Sequence, residues 1–128
     1  MKVLALDYGA ARTGVAVSDA TGTIARPLGV VARAASDDGL AEVRSLVLEN
    51  EVERVVVGMP ITLRGEHGAQ ALETDAFVQA LRAAVDVPVE TYDERFTTML
   101  AARDGGAADE DARAAAHLLE SYLQSVSS

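Results

Sequence analysis

The amino-acid sequence predicts an α/β domain built on a five-stranded mixed sheet with helices on both faces. Up to Val31 the chain alternates between apolar and polar residues and is interrupted by glycine-containing turns, a pattern typical of an antiparallel meander. From Ser36 the apolar residues recur at helical spacing. The later strands are short and apolar and alternate with helices, which is typical of parallel βαβ units.

The meander is expected to contain three strands. The first runs from Val3 to Leu6 and the second from Gly14 to Val17, with a glycine-containing turn between them. The third runs from Ile24 to Val31. Because Pro27 lacks a backbone donor, it indicates an edge position or a bulge in this third strand.

Helices and strands alternate after the meander. Ser36 is the expected N-cap of a helix that ends near Asn50. A later helix is expected to place Leu72 and Phe77 on its apolar side. No repeat or linker interrupts the chain, so residues 1–128 are expected to form a single domain. The remaining elements are a strand at Val55 to Val57, a helix from Ala69 to Val85, a strand from Pro88 to Tyr92, a short helix from Thr97 to Gly105 and a last helix from Asp109 to Ser125.

Composition restricts the classes of protein and of site. The formal net charge is −9, with ten arginines against a single lysine, Lys2, which argues against a generally basic nucleic-acid-binding surface. Without cysteine, disulfides and cysteine-ligated metal sites are excluded. The N-terminus enters a strand pattern directly, and no apolar run is long enough to span a membrane. The expected location is the cytoplasm.

Three carboxylates are expected to meet at one edge of the sheet. Asp7 ends the first strand, Glu94 lies just past the fifth, and ligands of open α/β sheets bind at the carboxyl ends of strands. Asp111 lies four residues before Ala115, so it continues the apolar stripe of the last helix. Since a buried charge needs a partner, three acids that meet there need a cation between them.

This donor set favours a hard divalent cation. Oxygen ligands without cysteine or clustered histidine select Mg²⁺ or Mn²⁺. Two such ions about 4 Å apart can activate a water and stabilise the leaving oxygen of a phosphodiester. Three arginines, Arg12, Arg64 and Arg95, come from loops at the same edge and could contact phosphate.

Each of these residues also has a structural role open to it. Asp7 could form an Asx turn in the hairpin, and Glu94 and Asp111 could favour the N-termini of helices. The arginines could be solvated surface residues. His67 and His117 fit structural or incidental positions better than catalytic ones. The residue pattern by itself therefore indicates an α/β domain with a candidate acidic metal site.

Four blocks of the sequence resemble the signature blocks of the YqgF family. They read LALDYGAARTGVAVSD, VVVGMPITLRGEHGAQ, TYDERFTT and DARAAAHLLESYL, in the family's order and across nearly the whole chain. Members of this family are described as pre-16S rRNA nucleases and as Holliday-junction-resolvase-like proteins. The resemblance implies a ribonuclease H-like fold, which agrees with the element order above.

The resemblance also implies the active site and its chemistry. The family's catalytic, metal-binding acids fall on Asp7, Glu94 and Asp111, and its first-block arginine falls on Arg12. It implies endonucleolytic cleavage of structured RNA, in particular pre-16S rRNA, or of branched DNA, with Mg²⁺ or Mn²⁺. The sequence shows no obvious stripe for a dimer interface, so a monomer or weak homodimer is expected. The chain departs from many relatives in one respect, since the connection over residues 104–110 contains no basic residue.

Three other functions remain open on the sequence. A Holliday junction resolvase would share the same acids but would need a symmetric dimer to make two cuts. An actin-like nucleotide-binding protein uses a similar hairpin but needs a second domain. A non-catalytic module that binds the ribosome or the transcription machinery would suit an acidic surface.

Overall fold

A five-stranded mixed sheet forms the centre of the computed structural model, which describes residues 1–60, 68–94 and 107–127. Its strands are β1 (Val3–Asp7), β2 (Arg12–Ser18), β3 (Ala25–Ala32), β4 (Arg54–Met59) and β5 (Val89–Asp93). They lie in the order β3-β2-β1-β4-β5. The β1–β2 and β2–β3 pairs are antiparallel, and the β1–β4 and β4–β5 pairs are parallel. The predicted mixed sheet is confirmed, and the arrangement agrees with a ribonuclease H-like fold.

Three helices are described, namely α1 (Asp37–Glu49), α2 (Ala69–Ala84) and α3 (Ala107–Ser127). Ser36 caps α1 as predicted, and its Oγ accepts a hydrogen bond of 3.0 Å from the amide of Gly39. The predicted short helix from Thr97 to Gly105 lies outside the described residues. The last helix begins two residues before its predicted start at Asp109. No described helix is both long and apolar enough to cross a membrane.

The sheet separates two apolar cores. Leu4 and Leu6 point to one face, where they pack with residues of α1 and α2 such as Phe77. Val3 and Ala5 point to the other face, where they pack against α3. Strands whose two faces are both covered have apolar residues at successive positions, as β1 and β4 do. The prediction of helices on both faces is therefore confirmed.

The edge strand β3 carries the irregularity that Pro27 predicts. Val15 of β2 pairs with Gly29, whereas the next residue, Ala16, pairs with Pro27. Leu28 is therefore an extra residue without a register partner, which is a β-bulge. The missing backbone donor of Pro27 is tolerated because β3 has a neighbour on one side only.

The apolar face of α2 differs from its prediction. Leu72 is 62% exposed, and the buried residues of the helix include Ala71, Thr74 and Phe77. At about 100° per residue, Leu72 lies about 140° around the helix from Phe77, so the two side chains cannot share one buried face. The placement of Leu72 on the same side as Phe77 was wrong because it gave weight to hydrophobicity rather than to spacing.

Candidate active site

The alternation of side chains along the strands directs the predicted acids towards α3. Leu6 faces α1 and α2, so Asp7, the next residue of β1, faces α3. Tyr92 packs with the core under α3, and Glu94, two residues further, has the same parity. Asp111 belongs to the N-terminal part of α3 itself. The three acids therefore come from separate elements to one face at the carboxyl ends of β1 and β5.

Two glycines make room for this arrangement. Gly14 is the cross-strand partner of Asp7, and a Cβ atom built on it would overlap the backbone carbonyl of Asp111. The first turns of α3 therefore rest on bare backbone of β2. On the other side, a Cβ on Gly58 of β4 would overlap the carboxylate of Glu94. Glycine at both positions is what allows the acids to approach Asp7 from either side.

The carboxyl groups of Asp7 and Glu94 are joined by a hydrogen bond. The pKa of Glu94 is raised to about 8, first by burial, then by the hydrogen bond to Asp7 and by the charges of Asp7 and Asp93. Burial also raises the pKa of Asp7, and the charge of Asp111 adds to this, while the hydrogen bond from Glu94 opposes it. Near neutral pH, protonated Glu94 therefore donates to ionised Asp7.

Asp111 has a different partner. Its Oδ2 lies 3.0 Å from Nε of Arg12, and its side chain is only 29% exposed, so the carboxylate is not turned to bulk solvent. The oxygen itself is buried and has no hydrogen-bond donor among the described residues, because the approach of Nε is not aligned for a hydrogen bond. Arg12 thus balances the charge of Asp111 but does not donate a hydrogen bond to its Oδ2.

In the described part of the chain, no three histidine or acidic side chains are already arranged to hold a metal ion. Asp7 and Glu94 contact each other, and Asp111 contacts Arg12. The charge of Asp111 nevertheless acts on Asp7, so the third acid is close to the pair. The three acids thus lie near one another, with Arg12 against Asp111.

The remaining predicted residues are located as follows. Arg64, Arg95 and His67 lie outside the described residues. Nδ1 of His117 lies 3.6 Å from Oε1 of Glu120 on the same helix, consistent with the structural role expected of it.

Sequence reasoning did not single out a cleft that opens beside the acids. Its volume is about 160 Å³, and Asp7, Tyr8, Gln70, Glu73, Thr74 and Glu94 are among the residues that line it. The charge of Glu73, together with the larger effect of burial, raises the pKa of Tyr8. The only signal in the sequence is the position of Tyr8 directly after Asp7. Gly14 and Gly58 also had a signal, since glycine inside an apolar strand indicates a close approach.

Replacing Gly14→Ala is expected to destabilise the protein by about 1–3 kcal/mol, because the new methyl group must displace the backbone of α3 at Asp111. Urea unfolding followed by circular dichroism measures this change. An unchanged unfolding midpoint would mean that α3 does not rest on β2 at this position.

The raised pKa of Glu94 predicts a pH dependence of stability. Between its ordinary value of 4.5 and about 8, the unfolded chain releases this proton while the folded protein keeps it. The folded state binds more protons in this range, so its stability falls as pH rises. The Glu94→Gln variant lacks this titration. In metal-free buffer, its free energy of unfolding relative to that of the natural protein is therefore expected to be about 1 kcal/mol higher at pH 8.5 than at pH 5.

Urea unfolding at these two pH values tests that expectation, with Glu42→Gln on the exposed side of α1 as the matched control. The control should follow the pH dependence of the natural protein. Parallel curves for all three proteins would contradict the buried, protonated state of Glu94.

Comparisons with known proteins identify the family. The profile of the family described as "RuvX: Holliday junction resolvase" matches residues 1–125. A Chloroflexus aggregans protein named "Putative pre-16S rRNA nuclease" is 46% identical over 99 residues, which are 77% of this chain and 70% of that protein. A protein of the same name from Anaeromyxobacter is 39% identical in an alignment of 132 positions that covers 96% of each chain. Another from Syntrophomonas wolfei is 35% identical over 96% of this chain and 94% of its own.

Among solved structures, the Aquifex aeolicus PPX-GPPA enzyme matches 76% of this chain and 38% of that chain, at 19% identity and a TM-score of 0.36. At this identity and TM-score, the similarity supports no statement about function. The family profile and the curated relatives cover most of the chain, and they confirm the resemblance stated from the four sequence blocks. The chain belongs to the RuvX family, that of the Holliday junction resolvase and YqgF type.

Proposed function

We propose that this chain is a divalent-metal-dependent endonuclease that hydrolyses a phosphodiester bond in structured RNA, specifically at the 5′ end of pre-16S rRNA. The observation that carries the proposal is the approach of Asp7, Glu94 and Asp111 to one another from three separate elements. The name borne by the curated relatives supports the choice of substrate. A cytoplasmic location is proposed with it.

The acid cluster fits Mg²⁺ or Mn²⁺. Its donors are all oxygen atoms, which these hard cations prefer. The buried Oδ2 of Asp111 has no hydrogen-bond donor in the described part of the chain, and a buried acceptor of this kind needs a donor or a cation. When bound, the ion would supply an activated water and charge stabilisation at the phosphodiester.

The residues of the chain divide the remaining work. Asp7 and Glu94 would hold the ion from the ends of two parallel strands, and Asp111 would hold it from α3. Ligation by all three acids would displace the proton of Glu94, and a ligand bond through Oδ2 of Asp111 would compete with Arg12. The guanidinium of Arg12 would then be free to pair with a phosphate oxygen of the substrate. Metal binding and phosphate binding would thus favour each other.

A Holliday junction resolvase is the second candidate, and the description of the matching family favours it. The acids would play the same part, but two cuts across a four-way junction require a symmetric dimer. Cleavage of a pre-16S leader RNA and of a synthetic four-way DNA junction, compared at equal protein concentration, separates the two substrates. Sedimentation at the assay concentration reports the oligomeric state.

Replacing Asp7→Asn is expected to abolish Mn²⁺-dependent cleavage of the leader RNA and to weaken Mn²⁺ binding by at least about tenfold, because one charged ligand is lost. Calorimetric titration with Mn²⁺ and a cleavage assay measure the two effects. Asp86→Asn, which changes an exposed acid away from the cluster, is the matched control.

Because each variant is purified in parallel, contaminating nucleases would act equally in all preparations. Cleavage by Asp7→Asn at the natural rate, with circular dichroism unchanged, would overturn the proposed function. The same experiment distinguishes a non-catalytic module, which would show no metal-dependent cleavage in any preparation.

Replacing Arg12→Gln is expected to strengthen Mn²⁺ binding by roughly twofold to fivefold in the absence of nucleic acid, since the guanidinium no longer competes for Asp111. The same change should weaken binding of the leader RNA, because a phosphate contact is lost. Arg26→Gln, on the exposed edge strand, controls for the change in net charge. Weaker Mn²⁺ binding by Arg12→Gln would contradict the competition.

A further inference from the structure

The cleft beside the acid cluster is placed to receive a neighbouring part of the substrate. It opens between the end of β1 and the first turns of α2, and Asp7 and Glu94 form part of its wall. A group bound in it would belong to the nucleotide next to the phosphodiester at the acids. Its volume of about 160 Å³ is well below the roughly 300–1,000 Å³ of clefts that bury drug-sized ligands, so it suits a single ring system.

One wall of the cleft is a rigid aromatic surface. The ring of Tyr8 stacks on that of Phe77, with the ring centroids 4.5 Å apart and the planes inclined by 16°. Phe77 is 1% exposed and belongs to the core under α1 and α2, so it holds Tyr8 in place. Tyr8 itself is only partly buried. An ordered aromatic ring at the edge of a cleft is the kind of surface on which a nucleobase stacks.

The α2 side of the cleft carries acceptors of hydrogen bonds. Gln70 and Glu73 are exposed residues in the first turns of α2 and line the cleft. The hydroxyl of Thr74 donates to the backbone carbonyl of Gln70 at 2.9 Å, so its proton is already engaged. Glu73 can accept two hydrogen bonds through its carboxylate, and Gln70 can both donate and accept.

Away from the acids that would hold the ion, the cleft does not favour a phosphate group. Glu73 is acidic there, and none of the described residues that line the cleft is basic. A neutral group that donates hydrogen bonds is therefore favoured over an anionic one. The amino edge of adenine, cytosine or guanine offers such a donor, and carboxylates and amides are side chains that pair with these edges.

We propose that the cleft binds one unpaired, amino-bearing nucleobase of the substrate, stacked on Tyr8 and hydrogen-bonded to Glu73. This inference rests on the proposed nuclease function and adds to it the kind of nucleotide that flanks the cleavage site. A paired base keeps its amino edge in contact with its partner, so the substrate must be single-stranded or splayed at this position. Uracil also has one donor, N3–H, but the two carbonyl oxygens beside it would face the carboxylate of Glu73, so uracil is disfavoured.

The test uses four RNA nonamers, one of uracil alone and three with a single central adenine, cytosine or guanine. Their affinities are measured by fluorescence anisotropy with Ca²⁺, so that binding is read without cleavage. The natural protein is expected to bind the amino-bearing oligomers at least about fivefold more tightly than the uracil nonamer. Glu73→Ala removes the acceptor and should abolish this preference, and Tyr8→Leu should weaken all four by roughly fivefold or more.

Two further variants separate recognition from folding. Tyr8→Phe keeps the ring and should retain the preference, which a loss of structure would not allow. Glu42→Gln removes an equal charge from the exposed side of α1 and should leave all four affinities unchanged. Equal binding of the four oligomers by the natural protein overturns the proposal, whether or not the protein cleaves RNA. A base preference without any Mn²⁺-dependent cleavage supports the cleft and refutes the nuclease function.

Discussion

The contact between the first turns of α3 and the bare backbone of β2 at Gly14 is the constraint on which the site depends. Gly14 is the direct partner of Asp7, so a helix that rests on Gly14 delivers Asp111 beside Asp7. A side chain at that position would raise the helix off the sheet and separate the two acids. The same device recurs at Gly58, where the carboxylate of Glu94 takes the place that a side chain would fill. The acids come together because Gly14 and Gly58 have no side chains that would keep them apart.

The cluster is electrostatically unfavourable in the metal-free protein, and the chain answers this in two ways. Glu94 stays protonated and donates a hydrogen bond to Asp7. Arg12 approaches Asp111 without forming an aligned hydrogen bond. Both interactions can be broken, because the proton of Glu94 can dissociate and the Arg12 side chain is about half exposed. The surrounding sheet, buried on both faces, is what tolerates such a site. Concentrating unfavourable charge where a ligand will relieve it is a common cost of function.

Much of this could be predicted from the sequence, and the exceptions have physical reasons. Pro27 and Ser36 act locally, through a missing donor and a side-chain cap, so their effects could be predicted without knowledge of the tertiary structure. Asp111 could be predicted to approach the sheet from its spacing to the buried stripe of α3. Leu72 was misplaced because a hydrophobic residue does not reveal its angle around a helix by itself. The Tyr8 cleft depends on how α2 packs beside β1, which no local pattern encodes. The metal and substrate roles of the acids, and those of Arg64 and Arg95, stay predictions.

The position of α3 after all five strands in the chain has a consequence for biosynthesis. β1 and the carboxylate of Asp7 leave the ribosome before α3, the helix that covers Val3, Ala5 and Val56. A nascent polypeptide that still lacks α3 has one apolar face of the sheet exposed to solvent, and it has Asp7 and Glu94 but not Asp111. Because distant segments must close on each other before these contacts form, the site assembles late in folding. Until α3 has emerged and packed on the sheet, Asp7 and Glu94 are without Asp111, so the acid cluster stays incomplete while the earlier elements are being made.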